Sequence, residues 1–133
     1  MTGVRHHAPV TPVPKPFGMT LQVQVDDLER ARRFFCLVLG CPPDFDPQDD
    51  VLAWRVGDGE TWLEVVGVPG AVRPLHNRVR FGVVDLTSAR AAVEAAGTPV
   101  AAATTMPGVA RWADFTDPWG NLLGFYEVLP ATD

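Results

Sequence analysis

Two carboxylates in strand-like runs (Glu64 and Asp114), three histidines, two cysteines and a single serine are the groups in this chain whose chemistry could go beyond packing. None stands in a frame that activates a nucleophile. Ser88 belongs to a helical stretch, and neither Cys36 nor Cys41 has a neighbouring histidine or a glycine-rich elbow. The GDG at 57–59 lies between two strand-like runs, so it reads as a hairpin turn and not as a phosphate loop, which needs a strand before it and a helix after. His6 and His7 are adjacent in a proline-rich arm and form no chelate by themselves. His76, in PLHN, reads as a solvated loop residue, although it shares parity with Arg78 and a slipped register would bring it to the same face. A metal-free acid–base role for Glu64 or Asp114 would require a carboxyl of perturbed pKa. The aromatic residues Trp62, Trp112 and Tyr126, read with the nearby Arg78 and Arg80, suit different chemistry, in which a planar molecule is stacked and given directional polar contacts.

These residues must be positioned by a repeat. VDDLERARRFF at 25–35 and VVDLTSARAAV at 83–93 share Val, Asp, Leu, Ala and Arg in register. Upstream of each, LQVQV and VRFGV alternate as half-buried strands and lead into an Asp able to cap the following helix. Leu28, Ala31, Phe34, Phe35 and Val38 form the apolar face of the first helix. Gly40 ends it, and Gly97 plays the same part in the second copy. Strands are expected around VLAWRV, TWLEVVGV, PVAAATT, ARWADFT and NLLGFYEV, with a poorly written one near PDFDP. Each copy then reads as βαβββ. The expected organisation is an extended arm over 1–18, carrying Pro9, Pro12, Pro14 and Pro16, then one domain over 19–129. Its modules cover 19–67 and 78–129, joined by a linker over 68–77.

VDDLERARRFFCLVLG resembles the opening helix, and DPWGNLLGFYEV the closing hairpin, of the glyoxalase, bleomycin-resistance and extradiol-dioxygenase superfamily, the vicinal-oxygen-chelate fold. The likeness covers residues 19 to 129. It implies an α+β fold in which two βαβββ modules form cupped, partly open mixed sheets, with helices outside and the ligand in the hollow. Side chains alternate along a strand. Leu21, Val23 and Val25, and likewise Val79, Phe81 and Val83, should therefore pack under the helices. Thr20, Gln22, Gln24, Trp62, Glu64, Val66, Arg78, Arg80, Gly82, Trp112, Asp114, Leu122, Gly124 and Tyr126 should face the hollow. Metal-dependent members place a His or Glu at one inward position in the first and last strand of each module. The resemblance maps those positions onto Thr20, Glu64, Arg78 and Gly124, and only Glu64 is a carboxylate. A catalytic divalent ion usually needs three protein ligands, so no metal, no other cofactor and no catalytic residue is expected. Glu64 reads equally well as a leftover carboxylate now salt-bridged, for instance to Arg78, or as a group that recognises a ligand amine or hydroxyl.

The 133 residues carry a formal charge of -5 with a single lysine, Lys15, which excludes a phosphate-backbone surface and suits a cationic or neutral ligand. With no bilayer-length apolar run and no apolar middle to its N-terminal stretch, the chain is expected in the cytoplasm, away from membranes. The resemblance is nearest in kind to the bleomycin-resistance branch. It implies a homodimer that binds and sequesters an aromatic or peptide-type antibiotic, with Thr20, Gln22, Gln24, Trp62, Glu64, Arg78, Arg80, Trp112, Asp114 and Tyr126 lining the clefts. The other expectation is an enzyme of the same superfamily, a lyase, isomerase or dioxygenase, with a shifted metal site at Glu64 and His76 or with metal-free acid–base chemistry. A degenerate module that only mediates protein association is the third.

Overall fold

The computed structural model describes residues 10–46 and 50–131. His6 and His7 lie outside that range. The two aspartates that interrupt the strand-like runs act as helix caps. Asp27 accepts a hydrogen bond from Arg30 N at 3.1 Å and starts α1 (Leu28–Leu39). Asp85 accepts from Thr87 N at 3.0 Å and Ser88 N at 3.3 Å and starts α2 (Leu86–Ala95). Each cap satisfies amides that the first helical turn leaves without partners. Gly40 follows α1 at φ 73° and Gly97 follows α2 at φ 99°, left-handed positions that a side chain would strain.

The first module contributes β1 (Gly18–Val25), β2 (Val51–Arg55) and β3 (Glu60–Gly67), ordered β1-β3-β2 with β1 parallel to β3. The second contributes β4 (Val79–Gly82), β5 (Thr104–Met106), β6 (Ala110–Thr116) and β7 (Leu122–Val128), ordered β4-β7-β6-β5 with β4 parallel to β7. The chain is thus two mixed sheets of three and four strands with one helix each, an α+β architecture. The second copy is the full βαβββ. In the first, the strand expected near PDFDP is reduced to one bridge between Phe45 and Ala53. Pro42 and Pro43 lack the amide hydrogens a ladder needs, and Asp44 and Asp46 favour turns. The strand expected over PVAAATT is likewise shorter: Val100 makes a single bridge to Phe115, and regular pairing begins at Thr104. Short alanine side chains give a pleated surface little to pack.

One hydrophobic cluster runs through both modules. Val23, Val25, Ala31, Phe35, Trp54, Leu63 and Val65 come from the first, and Phe81, Leu86, Val93, Phe115, Leu123 and Phe125 from the second. α1 covers β2 and β3, α2 covers β6 and β7, and the helices touch each other. Phe34 carries the contact across, 6.4 Å from Phe115 and 6.5 Å from Trp119 between ring centroids. The 117–121 turn completes the join. Trp119 Nε1 donates to Asp26 Oδ1 at 2.5 Å. Fully buried Asn121 donates to Gln24 O at 3.1 Å and accepts from Leu75 N at 2.8 Å. No helix among the described residues is long and apolar enough to cross a membrane.

Candidate functional site

Each sheet has one face under its helix and an opposite face that the chain leaves open, and strand alternation decides which side chains reach it. On the first sheet Thr20 lies beside Trp62, and Gln22 beside Glu64, in the β1–β3 register. Gln22 Nε2 donates to Glu64 Oε1 at 3.0 Å. Trp62 is held by two residues the sequence reading passed over. Arg55, its cross-strand partner on β2, stacks its guanidinium 5.2 Å from the indole centroid. Glu60 accepts from Arg55 Nη2 at 2.6 Å and from Trp62 Nε1 at 3.1 Å. Glu60 was legible, because it shares the parity of Trp62 and Glu64. Arg55 required the hairpin register across the GDG turn.

Gln24, expected among the ligand-lining residues, makes a contact to the linker. Its Oε1 accepts from Arg73 N at 2.9 Å, so the side chain pins the linker. A backbone amide offered at hydrogen-bond distance outcompetes a solvent-facing pose for a half-buried amide.

The second sheet repeats the arrangement with different chemistry. Arg80 on β4 donates from Nε to Asp114 Oδ1 at 2.8 Å and from Nη2 to Asp114 Oδ2 at 2.9 Å, a two-pronged pair, while its guanidinium lies 5.4 Å from the Trp112 ring. Between these residues runs β7, which presents Gly124 opposite both Arg80 and Asp114. A Cβ at Gly124 would stand 2.6 Å from Asp114 Oδ1, 3.0 Å from Ala113 O and 3.2 Å from Arg80 Cγ. The glycine is the gap through which the ion pair spans two strand spacings. Tyr126, across from Trp112, lies over Gly82, where a Cβ would fall 2.8 Å from the tyrosine oxygen. The Arg80 hydrogen bonds hold the Asp114 carboxyl below the usual carboxylate range, against the opposing effect of burial.

The Arg78–Glu64 pairing considered from sequence is not formed. Arg78 precedes β4, and its Nη1 donates to Leu123 O at 2.6 Å and Phe115 O at 3.0 Å, with Nε 3.7 Å from Asp114 Oδ2. Its reach is taken up by nearby carbonyls on its own sheet, whereas Glu64 belongs to the other. A cleft of about 520 Å³ opens beside Arg78, Asp114 and Thr116, and another of about 420 Å³ beside Phe17, Thr20, Glu60 and Trp62. Each draws its walls from one module alone.

The four positions at which metal-dependent relatives place ligands hold Thr20, Glu64, Arg78 and Gly124, and these do not fit a divalent cation. Arginine brings a fixed positive charge, and the Gly124 position is closed off by the Arg80–Asp114 pair. Among the described residues no three His, Cys, Asp or Glu side chains converge, and exposed His76 joins no such group.

With this geometry in hand, comparison with known proteins identifies the fold. A model of the Glyoxalase/Bleomycin resistance protein/Dioxygenase superfamily matches residues 18–125. No curated protein sequence is matched. Among solved structures, a glyoxalase/bleomycin resistance protein from Catenulispora acidiphila is 24% identical, with a TM-score of 0.66, and the alignment covers 86% of this chain and 100% of that one. A member of the same superfamily from Sphaerobacter thermophilus is 20% identical at a TM-score of 0.65, covering 85% and 98%. The oxidase ChaP-H1 is 22% identical at 0.67, covering 83% and 94%. At these identities the likeness to the solved structures concerns the fold alone, whereas the family model spans most of the chain. Repeat, topology and family model agree that the chain belongs to the glyoxalase/bleomycin resistance protein/dioxygenase superfamily.

Proposed function

We propose that this protein binds and sequesters a small planar organic molecule of the antibiotic kind, on the open faces of its two sheets and without metal-dependent chemistry. One observation carries the reading: each open face presents a tryptophan held in place by an arginine and a carboxylate. On the first sheet Arg55 and Glu60 fix Trp62, and on the second Arg80, locked to Asp114, lies against Trp112. Fixing an indole in advance removes part of the ordering cost of stacking a ligand on it. Several structural neighbours are named glyoxalase/bleomycin resistance proteins, in keeping with this branch. The Asp114 carboxyl, held below its usual range, is a poor proton acceptor near neutral pH, which speaks against acid–base catalysis at that residue. A protein that protects by binding acts by lowering free ligand, and needs affinity in place of turnover.

Titration calorimetry with a panel of polycyclic aromatic and peptide-type antibiotics tests the reading. At least one should bind, and Trp62→Ala or Trp112→Ala should each cost on the order of 1 kcal/mol of affinity. Unchanged affinity in both variants would remove the aromatic faces from the argument. Elemental analysis of dialysed protein should find no stoichiometric divalent metal; one zinc, iron, nickel or manganese per chain would restore the enzymatic reading.

A further inference from the structure

The charge of the whole chain and the charge of the second sheet's open face have opposite signs. The chain is acidic at -5, yet this face sets two arginines, Arg78 and Arg80, against the single carboxylate of Asp114. Both Asp114 oxygens are engaged by Arg80 through charge-assisted bonds. Two guanidiniums therefore face one carboxylate, and Arg78 shares Asp114 only at longer range, its Nε 3.7 Å from Oδ2. Its Nη1 is held by the carbonyls of Phe115 and Leu123, but its Nη2 has no partner among the described residues, and its side chain is 31% exposed at the cleft. A guanidinium carries five donor hydrogens in a planar fork and accepts nothing.

The rest of the cleft has the same preference. Its far wall is Pro99, Val100 and Ala101, which are apolar, and the Ala101 amide already donates to Asp114 O at 2.8 Å. Thr116 contributes a hydroxyl with no hydrogen bond to another described side chain. With two guanidiniums against the single Asp114 carboxylate, this apolar-walled cleft carries a net positive charge, which favours an anion over an ammonium group.

We propose, on the basis of the binding role argued above, that the ligand carries a carboxylate-type anion, which docks on Arg78 Nη2 and the Thr116 hydroxyl while its planar body packs against the wall of Pro99, Val100 and Ala101. Ligand selection is then local: the fixed guanidinium a few ångströms away outweighs the screened charge of the rest of the surface.

Three probes of one shape separate the alternatives: benzoate, benzamide and benzylammonium, titrated into the 15N-labelled full-length protein while the Arg78 Nε–H and the tryptophan indole N–H signals are followed. Benzoate is expected to shift the Arg78 signal saturably and to bind at least about tenfold more tightly than either other probe. In Arg78→Gln its affinity should fall to that of benzamide, with Arg78→Lys in between. Retained benzoate preference in Arg78→Gln would place the anion elsewhere and overturn the proposal. If benzamide or benzylammonium moves the indole signals as strongly as benzoate does, the binding face stands and the anion selectivity falls. If none of the three perturbs either set up to about 10 mM, the binding face and the anion proposal fall together.

Discussion

Asp114 and Gly124 show how a family position is re-used at the level of single side chains. The metal-dependent relatives implied by the resemblance would have a carboxylate at Gly124. Here the vacated volume is crossed by the Arg80–Asp114 pair, which cannot coexist with a larger residue at 124. The pair also predicts a pH response. Arg80 lowers the folded-state pKa of Asp114 below its unfolded value, so the ionised carboxylate adds stability above about pH 3.9 and loses it as pH falls through the folded value. Asp114→Asn should therefore destabilise at pH 6, and the deficit should shrink steadily on acidification toward pH 2 in urea titrations. A deficit independent of pH would show that the pair contributes through shape and not charge. Asp117 runs the other way, since burial raises its pKa and its protonation favours the fold as pH falls. Because it is present in both proteins, the comparison cancels it.

Among the elements, the turn over 117–121 has consequences beyond its length. It closes the β6–β7 hairpin, and Asn121 and Trp119 reach into the first module through Gln24 O, Asp26 and the linker amide of Leu75. Asn121→Ala would remove a hydrogen-bond partner from three segments, including buried Asp117, whose Oδ2 accepts from Asn121 Nδ2 at 2.8 Å. The expected cost is on the order of 3 kcal/mol by urea denaturation. A cost below about 1 kcal/mol would mean that the helix–helix contact through Phe34 joins the modules without help from the turn. The cap residues Asp27 and Asp85 hydrogen-bond only at the first turns of their own helices. Asp85→Ala should therefore cost a more modest amount, about 1 kcal/mol, without changing how the modules meet.

For the molecule as a whole, the unfinished parts are edges and open faces. β1, eight residues long, is paired on one side only, and β4 is an edge of the other sheet. Phe17 is 91% exposed and Met19 61% exposed beside the open cleft of the first sheet. Long unprotected edges and exposed apolar side chains invite a second copy, and cyclic dimers are the usual solution. Sedimentation at micromolar concentration is expected to give twice the 14.4 kDa of one chain, and a species at 14.4 kDa alone would overturn the dimer. In a dimer a ligand cleft would take one wall from each of two sheets, consistent with the clefts beside Arg78 and beside Trp62 each drawing on one module alone.

What the sequence by itself determined follows from short-range rules. The Asp caps, the glycines after the helices and the two-residue alternation of LQVQV, TWLEV and ARWADFT depend on neighbours a few positions apart, so the repeat, both helices and the strand faces were legible. The open-face parity of the carboxylates in WLEVV and ARWADFT was legible for the same reason. Only the tertiary structure decided partnerships between segments. Arg80 takes both Asp114 oxygens while Arg78 reaches one of them at 3.7 Å; Gln24 meets the Arg73 amide; and Arg55 with Glu60 holds Trp62. Each depends on register between strands or on a loop path, where several donors of similar reach compete for one acceptor and differences of an ångström choose the winner. The strand lost near Phe45 belongs to the same class, because whether a weak segment pairs depends on the edge it meets and not on its own composition alone.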